Sequence, residues 1–146
     1  MTRLFPATQT RTRTIVYWIT TALLAFGLTL GGVGDVLRAA PIVEGMTHLG
    51  YPSYFCVIIG VWKLLGAATL LAPGLPRLKE WAYAGAFFNF SGAVISHLAV
   101  GDTFGQVAPA LVFTVLTLAS WATRPPTRRL TGDAASTHNV AGAAIA

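Results

Sequence analysis

Lys63 is the residue whose type and position most need explaining. It stands midway along an apolar run, 53–72, that holds no other Lys, Arg, Asp or Glu. In hydrocarbon a lysine at that depth costs about 2.5–3.5 kcal/mol on insertion scales, so it should face other helices and find partners there. Asn89 lies at about the same depth in a later run, 81–100, and its amide oxygen can accept from the ammonium. The bland alternative is a lysine that snorkels to an interface, which from mid-run is a long reach. A second set of polar groups collects elsewhere: Asp35, Glu44, His48, His97, Asp102 and Gln106. A carboxylate such as Asp35 beside His97 would fix the imidazole tautomer. That pairing suits a proton relay, a quinone headgroup or a metal, and equally an ordinary contact between helices. Lys63, His97 and Asp35 are therefore the candidate chemical residues, and Asn89, Ser96, Trp62 and Gln106 the candidate ligand-lining ones. No metal site is expected. The cofactor is left open: for a haem the candidates reduce to His48 and His97.

Several classes drop out. The one cysteine, Cys56, cannot form an intrachain disulfide or a dithiol redox pair. HExxH, GxGxxG, Walker A and GxSxG motifs are all missing. The net charge of +5 could suggest nucleic acid. The basic residues, however, flank apolar runs instead of lining one helix face, so no nucleic-acid partner is expected.

The elements that must position these residues are membrane helices. Hydrophobic residues make up 54% of the chain and charged ones only 10%, against about 25% charged in soluble domains. The deficit makes lipid the solvent. Four runs stand out, 15–34, 53–72, 81–100 and 104–123. At ~1.5 Å rise per residue each crosses the ~30 Å hydrocarbon layer. Prolines punctuate them, at Pro52, Pro73, Pro76 and Pro125–Pro126, with Pro109 the one inside a run. Basic residues set the direction. Arg3, Arg11 and Arg13 precede the first run, Arg77 and Lys79 lie between the second and third, and Arg124, Arg128 and Arg129 follow the fourth. The other loops hold Arg38 alone. The expected fold class is thus all-α, a transmembrane four-helix bundle with both termini cytoplasmic (N-in/C-in).

The expected organisation is a cytoplasmic segment 1–14, a membrane domain 15–123, and a cytoplasmic tail 124–146, disordered from 130 onward on its Ala/Gly/Ser/Thr composition. Leu4 and Phe5 can rest on the membrane surface, and Tyr17, Trp18, Trp81, Tyr83 and Trp121 are placed at the cytoplasmic interface, Tyr51 and Tyr54 at the other. Small residues form faces: Gly27 and Gly31 in the first run, Gly60, Gly66 and Ala67 in the second, and Gly85, Asn89, Gly92 and Ser96 in the third. They either let helices pack tightly or leave room for a ligand.

Three blocks carry a family resemblance. They are Lys63-Leu-Leu-Gly-Ala-Ala-Thr-Leu-Leu-Ala-Pro73, Leu78-Lys-Glu-Trp-Ala-Tyr-Ala-Gly85, and Ser91-Gly-Ala-Val-Ile-Ser-His-Leu-Ala99 followed by Gly101-Asp102. Together they resemble the DoxX-like family of small four-helix membrane proteins, over most of 15–123. The resemblance marks Lys63, Gly66, Pro73, Glu80, Trp81, Tyr83, Gly85, Ser96 and His97. It implies an inner (plasma) membrane location and association with redox systems, since relatives are linked to quinone-dependent thiosulfate oxidation and to maturation of a redox enzyme. The expected function is an accessory or scaffolding subunit of a membrane redox system, with a redox partner protein. The alternative is a small membrane enzyme or binding protein for a quinone-like ligand, built around Lys63 and His97. Beyond the lipid bilayer, a homo-oligomer is compatible with either.

Overall fold

The structure, a computed structural model, describes the backbone of residues 7–130 and the side chains of 11–130. All regular structure there is helical: α1 (Ala7–Val36), α2 (Ala40–His48), α3 (Tyr54–Leu71), α4 (Pro76–Ala99) and α5 (Phe104–Thr123), with a short 3-10 turn at Pro126–Arg128. Three of these, α1 from Arg11, α3 and α5, are long and apolar enough to cross a membrane. The 24-residue α4 is long enough, but Asn89, Ser91, Ser96 and His97 dilute its hydropathy. Of the expected tail 124–146, residues 131–146 lie outside the described residues, as do Leu4 and Phe5.

Each long helix packs on two others: α1 on α3 and α5, and α4 on α3 and α5. The tightest seam is α1 against α3. A Cβ on Gly60 would stand 2.8 Å from the Gly32 carbonyl oxygen and from the Asp35 Cβ, so the two backbones touch. One on Gly27 would run into the Phe113 ring. In lipid such close approach drives association, because apolar burial between helices gains little. The interior is filled by Leu24, Leu28, Ala67, Leu70, Tyr83, Ala86 and Phe90. Outside, large apolar side chains such as Ile19, Phe26, Leu30, Phe88, Ile95 and Val112 are exposed on the long helices. A soluble monomer rarely shows contiguous apolar surface on that scale, so this coat matches hydrocarbon.

The loosest seam is α3 against α4. A Cβ on Gly85 or Gly92 would meet nothing within 4 Å. The glycines thus divide: Gly27, Gly32 and Gly60 are pressed against neighbouring helices, and Gly85 and Gly92 face open space.

Three differences from the sequence reading stand out. The connection 35–52 contains a helix, α2, entered through Pro41, whose fixed φ and missing N–H suit a first turn. Helix α1 begins at Ala7, ahead of its apolar run. Tyr17 and Tyr83 are buried rather than lipid-facing. The Tyr83 hydroxyl meets Ser120 Oγ at 2.7 Å, and Ser120 meets Thr21 Oγ1 at 2.6 Å, a polar tie across α4, α5 and α1.

Candidate functional site

The open α3–α4 seam holds two adjoining cavities. The larger, about 610 Å³, is lined by Trp62, Lys63, Gly66, Trp81, Gly85 and Asn89 among others. The smaller, about 390 Å³, takes Tyr51, Lys63, Asn89, Gly92, His97 and Gln106. They share Ile59, Lys63, Phe88 and Asn89, and so form one groove pinched at its polar waist. Trp62 is 66% and Trp81 78% exposed, so the larger chamber opens sideways through the helix surface.

At the waist, Lys63 Nζ donates to Asp35 Oδ2 at 2.7 Å, with side-chain exposures of 18% and 3%. The partner comes from α1, not from α4. Helical side chains lean toward their own N-terminus, and α3 starts at the end of the fold where α1 finishes, so Lys63 reaches back toward Asp35. Asn89 takes no part and has no hydrogen-bond partner among the described residues, although its side chain is half-buried in the groove wall. An amide without a partner at this depth is costly unless something else supplies one.

Beyond the smaller chamber lies a second cluster. Asp102 Oδ2 accepts from His97 Nδ1 at 2.6 Å and Oδ1 from His48 Nε2 at 2.8 Å. The expected Asp35–His97 pairing is therefore replaced by two separate pairs. A local motif explains it. Gly101, at φ 78°, ends α4 in the left-handed region that glycine tolerates. Its N–H donates to the Leu98 carbonyl and that of Asp102 to the His97 carbonyl, a Schellman closure. The closure folds Asp102 back onto the last turn of α4, beneath the His97 ring. Thr103 and Gln106 then start α5 with a capping box. Hydrogen bonds from His97 and then His48 hold the Asp102 carboxyl below the usual carboxylate range. Among the described residues no trio of His, Cys, Asp or Glu is disposed to hold a metal ion.

The model of the DoxX-like family matches residues 19–120. The chain belongs to the DoxX-like family. No curated protein and no solved structure matches it.

The candidate residues of this DoxX-like protein fall into four groups. Lys63, Asn89, Trp62 and His97 line the groove. Asp35 lies behind it and holds Lys63. Ser96 donates to the Gly92 carbonyl and pairs with the Tyr51 hydroxyl at 2.8 Å, pinning the α2–α3 connection to α4. Gln106 faces the smaller chamber, but its atoms are engaged by Thr103 and Asp102.

The opposite end holds residues that charge counting reads only as orientation signals. Lys79 is fully buried, and its Nζ donates to the Thr69, Leu70 and Ala72 carbonyls. Three donors thus meet the last acceptors of α3, where a cation also suits the helix dipole. Burial and then the charge of Arg128 push the Lys79 ammonium down from its ordinary value. Arg124 grips Glu80 with two bonds, at 2.7 and 3.2 Å, and lies 4.9 Å from the Tyr83 ring centroid. Its hydrogen bond is the largest cause holding the Glu80 carboxyl low. A Pro-Gly turn followed by a lysine is the signal that could have located this cap.

Proposed function

We propose that this DoxX-like protein is a four-span inner-membrane protein, N-in/C-in, that binds a lipophilic molecule with a hydrogen-bonding head, of quinone type, in the α3–α4 groove. The observation that carries the reading is the pairing of an open apolar groove with Asn89 and Lys63 at its waist. Ligand sites are mostly apolar with a few convergent polar groups, and here the two ammonium hydrogens that Asp35 does not take and the free amide supply them. Depth narrows the class. The polar waist is mid-way along α3 and α4, so the ligand head must lie within the hydrocarbon layer. A phospholipid keeps its head at the interface, whereas a neutral carbonyl-bearing ring does not have to.

The test uses the tryptophans of the groove. Added to the purified protein in mild detergent, decylubiquinone is expected to quench emission from Trp62 and Trp81. Trp62→Phe with Trp81→Phe should remove most of that quenching, while Trp18 and Trp121 keep theirs at the level of the free dye. Quenching spread evenly over all four tryptophans would sink the reading.

Four spans rest on α4 joining the three more apolar helices in one ring, and the direction rests on the basic residues that flank them. Reporter fusions at either end should both be active only in the cytoplasm. An external C-terminus would remove the N-in/C-in arrangement. The accessory-subunit reading draws on the same groove, since a partner helix could fill it. In that case a partner co-purifies and decylubiquinone leaves the tryptophans untouched.

A further inference from the structure

We infer that His97 exchanges a proton with a hydroxyl-bearing ligand in the smaller chamber, Asp102 acting as its positioning residue. The inference rests on the groove reading above and deepens it by assigning proton chemistry to one wall.

An ionised carboxylate only accepts hydrogen bonds. With Asp102 Oδ2 at 2.6 Å, His97 Nδ1 must carry the hydrogen. In the neutral ring Nε2 is then a lone pair, and it has no hydrogen-bond partner among the described residues. His97 lines the smaller chamber. A ligand O–H set against Nε2 can break heterolytically. The proton forms an N–H bond, the electron pair stays on oxygen, and the imidazolium is stabilised by Asp102. No oxidant or reductant is needed for that step. The other Asp102 oxygen meets His48, whose side chain is 51% exposed. One carboxylate therefore stands between a ring in the chamber and a ring at the surface.

The backbone closure of α4 already satisfies the helix end, so the ring contact is not required for capping. The charged groups around the chamber are few. Lys63 of α3 is paired with Asp35 of α1. Tyr51 holds Ser96. Glu44 of α2 is exposed, and α5 carries no ionisable side chain. Lys63 is thus the rival for stabilising a ligand anion, and it is left unchanged in both variants below.

The test compares decylubiquinone, which has no ionisable hydroxyl, with lapachol, a hydroxynaphthoquinone whose anion absorbs at longer wavelength than its acid. The whole protein is titrated with pH, and the visible spectrum of bound lapachol reports its hydroxyl pKa. That pKa is expected to lie about one unit below the value in empty micelles, a tenfold change in ionisation. His97→Gln should return it to the micelle value. Asp102→Asn keeps the ring but removes the charge, and should recover most of the same shift. Either variant, folded by its thermal midpoint, with a wild-type bound pKa would overturn the inference while decylubiquinone quenching leaves the groove reading standing. A wild-type protein that binds lapachol with no shift overturns it too. Failure of both probes to quench overturns the groove reading and this inference together.

Discussion

Lys63→Leu is expected to lower the stability of the detergent-solubilised protein by about 3–5 kcal/mol, the size of effect seen when one partner of a buried ion pair is removed. The cause is the stranded carboxylate, since Asp35 is only 3% exposed on its side chain and Lys63 is its ion-pair partner. Asp35→Leu alone should do comparable harm by leaving an ammonium in the groove wall. The double change, Lys63→Leu with Asp35→Leu, should recover most of the loss, because apolar pairs of similar volume often match or exceed buried ion pairs. Thermal midpoints of the three variants give the coupling energy directly. A double variant no better than the singles would mean that the pair contributes through contacts other than its charge. If both singles were harmless, water rather than protein would be solvating Lys63. Ligand quenching adds a second readout. The double variant keeps the fold but lacks the ammonium, so its affinity for decylubiquinone should fall even though its stability returns.

The second large effect separates two kinds of glycine. Gly60→Ala is expected to destabilise by about 1–3 kcal/mol, as overpacking does elsewhere. Its new methyl would stand 2.8 Å from the Gly32 carbonyl oxygen, a backbone atom that cannot swing away. Gly85→Ala should be neutral or slightly stabilising, since alanine gains roughly 0.5–1 kcal/mol over glycine inside a helix and nothing lies within 4 Å to clash. Gly85→Leu goes further. It should leave the thermal midpoint near wild type while filling the larger chamber and abolishing tryptophan quenching. Equal loss of stability in Gly60→Ala and Gly85→Ala would mean that the α3–α4 seam closes in the membrane and that no groove persists there.

Much of this architecture is legible in the chain because it rests on strong local signals. Apolar runs bounded by proline and basic residues place α3 and α5 closely, whereas α1 and α4 begin well ahead of their runs, and the three sequence blocks around Lys63, Trp81 and His97 point to the family whose model covers 19–120. Helix α2 escapes notice because its nine residues are too short for a span and bury nothing. The partners of the polar residues are harder. Depth alone pairs Lys63 with Asn89, and acidity alone pairs Asp35 with His97. The actual partners follow from two facts that a linear reading does not weigh: side chains lean toward the helix N-terminus, which carries Lys63 to Asp35, and Gly101 folds Asp102 back under His97. Only the second has a sequence signature, a glycine just past a helix end followed by an acid. The sorting of glycines into welding and cavity-lining ones is not legible at all, since spacing gives the face of a residue but not what stands opposite it. Charge counting also hides Lys79, whose cap on α3 serves the fold as directly as its position suits the orientation rule.

The sideways opening between Trp62 and Trp81 has a consequence for how any occupant arrives. A site entered through a helix surface that faces acyl chains draws from the two-dimensional pool dissolved in the membrane and not from the aqueous phase. Its occupancy then follows the mole fraction of ligand among the surrounding lipids. Two compounds with the same fit but different partitioning will look unequal when titrated by aqueous concentration and equal when titrated per lipid. A membrane that dilutes or enriches such a compound would set the traffic through the protein without any change in the protein itself.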